Sequence, residues 1–160
     1  MSIEPNPMQN IMLIGVGNEF RHDDAVGLLI LRKLRNQLPE TIPTIEASGE
    51  GTTLIELWQT SDTVYLFDAV SSGSEIATIH RIDVHMQSIP SQFFHYSSHA
   101  FGVAEAVELA RSLNQLPNKL ILYGVEGSNF AIGIGLSEAV EQAIETAIQQ
   151  VLSELEINHA

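Results

Sequence analysis

Three apolar runs of strand length, "IMLIGV" (11–16), "TVYLFDAV" (63–70) and "KLILYGVEG" (119–127), alternate along this chain with segments of helical period. Runs this apolar predict strands buried in a core, and strands alternating with helices predict an α/β sandwich built on a mainly parallel sheet. The first helix is expected from Asp23 or Asp24, where Val26, Leu28, Leu29, Leu31 and Leu34 fall at helical spacing, and it should stop near Pro39. "TIPTIEA" (41–47) suggests a second strand, with Pro43 marking an edge or a start. After the turn "SGEGTT", Leu54, Ile55, Leu57 and Trp58 fit a second helix. "EIATIHRIDV" (75–84) follows "SSGS" so closely that an antiparallel strand is expected. A loop, "HMQSIPSQFFHYSS", then leads to a helix over about 99–113, and residues 136–155 form a long amphipathic helix.

The length of 160 residues suits one domain spanning 1–160. With 20 acidic residues against 7 Lys and Arg, the formal charge is −13, which argues against nucleic acid and anionic membranes as partners. There are no cysteines, so disulfides, thiolate metal sites and cysteine nucleophiles are excluded together. "MSIEPNPMQN" lacks the basic and apolar regions of a signal peptide, and no apolar run approaches the about 18 residues of a membrane span, so cytoplasmic residence is expected.

In sheets of this kind, ligands bind beyond the carboxyl ends of the strands. "GVGNEFRHDDAVG" (15–27) occupies such an end. Gly15 and Gly17 invite a dinucleotide reading, but the third glycine of that fingerprint would fall on Phe20, and no phosphate-loop motif follows. The glycines and Asn18 are better read as a tight strand-to-helix turn. Asp23 and Asp24 suit a helix start, and one of them can cap it while the other faces the sheet edge. Asp68 ends a very apolar strand, held by backbone N–H groups or aimed into a cleft. His99 stands where the long loop gives way to a helix, although His22, His80, His85 and His95 are also available. If Asp24, Asp68 and His99 meet at one sheet edge, two carboxylates and an imidazole suit a divalent ion such as nickel or zinc, with positions left for water or substrate.

"GVGNEFRHDDAVG", "FDAV", "SSHAFGVAEAVELA" and "LYGVEG…GIGLSEAV", in that order, resemble the hydrogenase maturation endopeptidases from about residue 11 to 145. The resemblance implies a twisted five-stranded sheet with helices on both faces, and an endopeptidase that removes the C-terminal tail of a [NiFe] hydrogenase large-subunit precursor. It also implies that nickel arrives with the substrate and is recognised through Asp24, Asp68 and His99, with Asp23 second to Asp24, so that the isolated protein needs little metal. Asp24 and Asp68 are the candidates for a catalytic role. Many members carry D-G-G-T after the second strand, where this chain has Gly49-Glu50-Gly51-Thr52, which makes Glu50 and Thr52 secondary candidates for substrate choice. After "DAV" many continue with Asp, and here Ser71 follows. Phe93, Phe94 and Phe130, in loops beside the strand ends, either line a groove for the tail or pack inward.

Two rival functions are open at this level. "GVGNEFRH" also echoes peptidyl-tRNA hydrolases, but those need a basic face. A non-catalytic module binding nickel or precursor would keep the same three ligands.

Overall fold

The computed structural model describes residues 10–159; "MSIEPNPMQ", read above for targeting, lies outside them. Five strands, β1 (Ile11–Val16), β2 (Thr44–Ala47), β3 (Thr63–Val70), β4 (Ile79–Asp83) and β5 (Lys119–Glu126), form one sheet in the order β2-β1-β3-β5-β4. All neighbours pair in parallel except β4, which runs antiparallel to β5 with Ile82 opposite Leu122. The helices are α1 (Val26–Arg35), α2 (Gly51–Trp58), α3 (Val103–Ser112) and α4 (Glu138–His159).

Strand alternation sorts the core into two faces. Leu13, Tyr65, Phe67, Ile121 and Tyr123 face Ile30 and Leu34 of α1 and Ile144 and Ile148 of α4. Ile14, Val64, Leu66 and Leu122 face Leu54 and Trp58 of α2 and Val107 of α3. The expected α/β sandwich, helices on both faces of a mainly parallel sheet, is therefore the observed one. No helix among the described residues is long and apolar enough to cross a membrane.

Several boundaries differ from the sequence reading, each for a local reason. Residues His22–Ala25 form a 3-10 turn, and α1 starts only at Val26. The second strand is confined to Thr44–Ala47, with the Pro43 carbonyl accepting the Leu13 N–H at 3.0 Å just outside the paired run. The strand after "SSGS" begins at Ile79, because Ala77 (φ 72°) lies in a turn. α3 starts at Val103 and not near His99: Glu105 Oε1 accepts the Gly102 N–H at 3.0 Å and fixes the start there. His99 thus lies in the loop before the helix.

Glycines set how closely α1 lies on the sheet. A Cβ at Gly27 would come 2.1 Å from the Phe67 carbonyl oxygen and 2.6 Å from that of Val16. This close approach seats the helix start against the ends of β1 and β3. Gly27→Ala is expected to destabilise the fold by about 2–4 kcal/mol, through forced separation of backbone layers. Urea unfolding against wild type checks this, and a loss below the error of the measurement would contradict the packing argument.

Candidate active site

The turn after β1 builds the site. Gly17 has φ 152°, and a Cβ there would sit 2.0 Å from the Asp24 carbonyl oxygen, so only glycine lets the chain double back this tightly. Its N–H donates to the Ala47 carbonyl at 3.0 Å. The Asn18 side chain accepts the Phe20 N–H at 2.9 Å, and its own N–H supports the Asp24 carboxylate. The 3-10 turn that follows carries Asp23 and Asp24, both buried but in opposite circumstances.

Asp23 caps no residue of its own turn. Its carboxylate reaches the loop between β5 and α4. Ser128 and Asn129 donate backbone N–H to Oδ2 at 2.9 and 3.0 Å, Ser137 donates N–H to Oδ1 at 2.7 Å, and Ser137 Oγ donates to Oδ2 at 2.8 Å. Ser137 immediately precedes α4, so Asp23 anchors the start of a helix over a hundred residues away. Burial works to raise its pKa, but the donors outweigh burial and hold it below the usual carboxylate range. With both oxygens committed, Asp23 is poorly placed to bind anything else.

Asp24 has no such donor shell. Burial pushes its carboxyl up to about 6, against the pull of the Arg21 guanidinium, the Asn18 N–H, the Tyr96 hydroxyl and His99. Asp68, at the carboxyl end of β3, is buried beside it. Burial first, and repulsion from Asp24 second, carry the Asp68 carboxyl well above its ordinary range, despite the Ala69 N–H donated to Oδ1 at 2.8 Å. The two carboxylates line a small recess of about 20 Å³ with Ser48, Gly49 and Tyr96. Asp24 also lines a larger, open cleft of about 430 Å³, shared with Asn18, Phe20, Arg21, Ser48 and His99.

Asp24 is thus common to both spaces, with Asp68 in the recess and His99 at the cleft. The His99 Nε2 lies 3.2 Å from the Ser48 carbonyl, which pins the ring to the β2–α2 turn. Among the described residues, no three His, Asp or Glu side chains already converge as a metal-binding cluster. The other histidines named from the sequence are engaged elsewhere: His22 Nδ1 with the Gly135 carbonyl, His80 with Glu126, His85 with the Pro117 carbonyl and His95 with that of Gln92.

Glu50 is the N-cap of α2. It accepts the Thr52 and Thr53 N–H groups at 3.0 and 2.9 Å, which holds its carboxyl down at about 2. Thr52 contributes its backbone to that cap. Phe94 is buried, Phe93 packs against the His80 ring, and Phe130 stacks on Tyr96 with ring centroids 3.9 Å apart. All three pack inward, the second of the two roles open from sequence.

Two residues that sequence reasoning did not single out complete the site. Tyr96 donates its hydroxyl to the Ala69 carbonyl at 2.5 Å and lies 3.5 Å from Asp68 Oδ1. Arg21 donates to the Phe130 carbonyl at 3.0 Å and the Tyr96 carbonyl at 3.2 Å, joining three loops beside Asp24. The signal for both was position: each shares a loop with a candidate ligand.

Known proteins share this chain's sequence and fold over most of its length. The family model described as hydrogenase maturation protease matches residues 29–154. Over 148 residues the chain is 30% identical to the hydrogenase 2 maturation protease of Escherichia coli (strain K12), covering 91% of this chain and 90% of that one. The solution structure of an endopeptidase from Escherichia coli superposes with a TM-score of 0.78 at 29% identity, over 92% of this chain and 93% of that one. The hydrogenase maturating endopeptidase HybD from E. coli gives 0.70 at 27% identity, over the same shares.

The contrast between the adjacent aspartates is measurable. Asp23→Ala removes the acceptor of three part-buried N–H groups and is expected to cost about 2–3 kcal/mol. Because the folded pKa of Asp23 is depressed, its contribution is complete above the unfolded carboxylate value near about 4 and fades as pH falls through the folded value. Asp24 has the opposite sign. Its folded pKa is raised, so the ionised group opposes folding at neutral pH, and that penalty disappears as pH falls through 6 toward 4. Asp24→Asn should therefore melt above wild type at pH 7.5, by about 1–2 kcal/mol, with the gap closing by about pH 4. Thermal melts across this range decide it, and an Asp24→Asn variant less stable than wild type at pH 7.5 would contradict the assignment.

Proposed function

This chain belongs to the hydrogenase maturation protease family, and from that membership we propose that it removes the C-terminal extension of a [NiFe] hydrogenase large-subunit precursor already carrying nickel. Family membership makes the protein a hydrolase, an endopeptidase acting on a hydrogenase precursor. The finer reading is that substrate-borne nickel is recognised by Asp24, Asp68 and His99.

The supporting observation is the state of the carboxylate pair. Asp24 and Asp68 are buried side by side and repel one another. The guanidinium beside them, that of Arg21, is spent on backbone carbonyls. Burial and mutual repulsion disfavour charge on this pair, the nearby Arg21 offsets that only in part, and a divalent cation supplies further positive charge directly. The pair therefore favours a cation-bearing substrate over the same chain without its metal. His99 completes the set by turning from the Ser48 carbonyl toward the cleft, where a neutral imidazole is a good nickel donor. The nickel is cargo on the substrate and serves as a mark that loading is complete.

For hydrolysis, substrate-borne nickel beside Asp24, Asp68 and His99 would polarise a carbonyl or lower the pKa of a water. Asp24, with a carboxyl near 6 in the free protein, takes up a proton readily, and burial shifts Asp68 toward its protonated form. The Tyr96 hydroxyl keeps Asp68 and the end of β3 in place. The acidic, cysteine-free chain fits action in the cytoplasm, and its net charge of −13 disfavours the phosphate backbone of tRNA.

The test is incubation with nickel-loaded and nickel-free precursor, followed by the mass of the product. Tail release is expected from the loaded form alone. Asp24→Asn, Asp68→Asn and His99→Ala should each keep a folded melting transition and slow release at least about 100-fold, since even outer-shell changes at metal sites cost 10–100-fold. Normal cleavage by all three variants, or equal cleavage of both precursors, would sink nickel recognition. Binding without cleavage by wild type would favour the non-catalytic module.

A further inference from the structure

Three large apolar side chains stand in solvent on two adjoining segments beside the cleft: Phe20 at 58% exposure, Ile132 at 89% and Ile134 at 78%. The segments are stitched together. Gly133 N–H donates to the Phe20 carbonyl at 2.8 Å, His22 N–H donates to the Gly133 carbonyl at 3.0 Å, and Arg21 pairs with Gly133 as a parallel bridge. Arg21 turns inward to the loop carbonyls, His22 lies over Gly133, and Phe20, Ile132 and Ile134 stand exposed on the two paired segments. Asp23, next to the first segment, bonds Ser128, Asn129 and Ser137, which flank the second.

We infer that Phe20, Ile132 and Ile134 form a ledge on which a precursor segment bearing apolar and basic side chains docks, so that the adjoining bond reaches the cleft of Asp24 and His99. This rests on the precursor-processing reading above. Single exposed apolar residues such as Met86 are ordinary surface. A row of three on backbone already fixed by hydrogen bonds is a different matter, since rigid apolar surface binds with little ordering cost. Continuity points the same way: Phe20 belongs to the row and also lines the cleft.

Charge selects the occupant. Of the seven cations, Arg32, Arg35, Arg81, Arg111 and Lys119 sit on carboxylates, and Arg21 sits on carbonyls. Among the described residues, Lys33 alone has no such partner. Glu19, before Phe20, is held by Arg32 at 3.5 Å, whereas exposed Glu138 and Glu141, neither of them on a cation among the described residues, open α4 just beyond Ile134. The field at the ledge is acidic, which attracts a basic segment and repels a second copy of a chain carrying −13.

The full chain and a nickel-loaded precursor test this. Phe20→Ser and the double variant Ile132→Ser/Ile134→Ser should raise KM for tail release by roughly tenfold or more, with kcat near wild type and melting unchanged. Met86→Ser, at the opposite end of the sheet, should match wild type. Ile132→Lys should raise KM more than Ile132→Glu, an order that a merely structural role would not produce. Wild-type KM in the ledge variants, with wild type cleaving normally, overturns the ledge alone; Glu tolerated worse than Lys overturns its charge. Failure of wild type to cleave the loaded precursor overturns the processing reading and the ledge with it.

Discussion

The carboxylate of Asp23 is the point on which the site end of this fold hangs. Three backbone N–H groups and a hydroxyl from residues 128–137 converge on it, so the loop after β5 and the turn after β1 are one object. Without that acceptor, three part-buried backbone N–H groups of the loop would lose their protein partner. With it, the segment from Arg21 to Asp24 is fixed against β5 and α4, and the next side chain along, Asp24, has one direction left, toward β3 and the cleft. Arg21 and the Phe20–Ile134 row inherit their places from the same clamp.

Three buried aspartates lie within this small region, and their surroundings assign them different work. Asp23 is saturated with donors and behaves as a stabilising anion. Asp24 and Asp68 have few donors, and each raises the cost of charge on the other. Natural proteins place destabilising groups where function needs them and offset them elsewhere. Here the offset sits one residue away, where the donors that Asp24 lacks are gathered on Asp23.

The layers and the strand ends were legible in the sequence because continuous apolar runs and helical periods are properties of local stretches. Asp68 could be placed at the end of a buried strand for the same reason. Other features depend on contacts between distant segments and leave little local trace. "HDDA" reads as a helix start by composition, but Asp23 is drawn to Ser137 and the residues settle into a 3-10 turn. The sequence predicts a helix opening at His99, but Glu105 fixes that start at Gly102, and the imidazole is held by Ser48 across the chain. Tyr96 matters only because the loop folds back over β3, which nothing in "HMQSIPSQFFHYSS" encodes by period.

The departure at Gly49-Glu50-Gly51-Thr52 becomes intelligible in the same terms. A helix start needs an acceptor for its first N–H groups. Glu50 fills that need from the N-cap position, where its longer side chain reaches Thr52 and Thr53. Gly49 has φ 97°, and a Cβ there would meet Val16 at 3.1 Å and the His99 ring at 3.7 Å, while the Ser48 carbonyl holds that ring. The turn therefore has two jobs that sequence comparison merges: capping α2 and presenting a backbone acceptor to His99. Replacing an aspartate by a carboxylate one residue later alters the first. It leaves the second in place, since that task belongs to a carbonyl and a glycine and not to the acidic side chain.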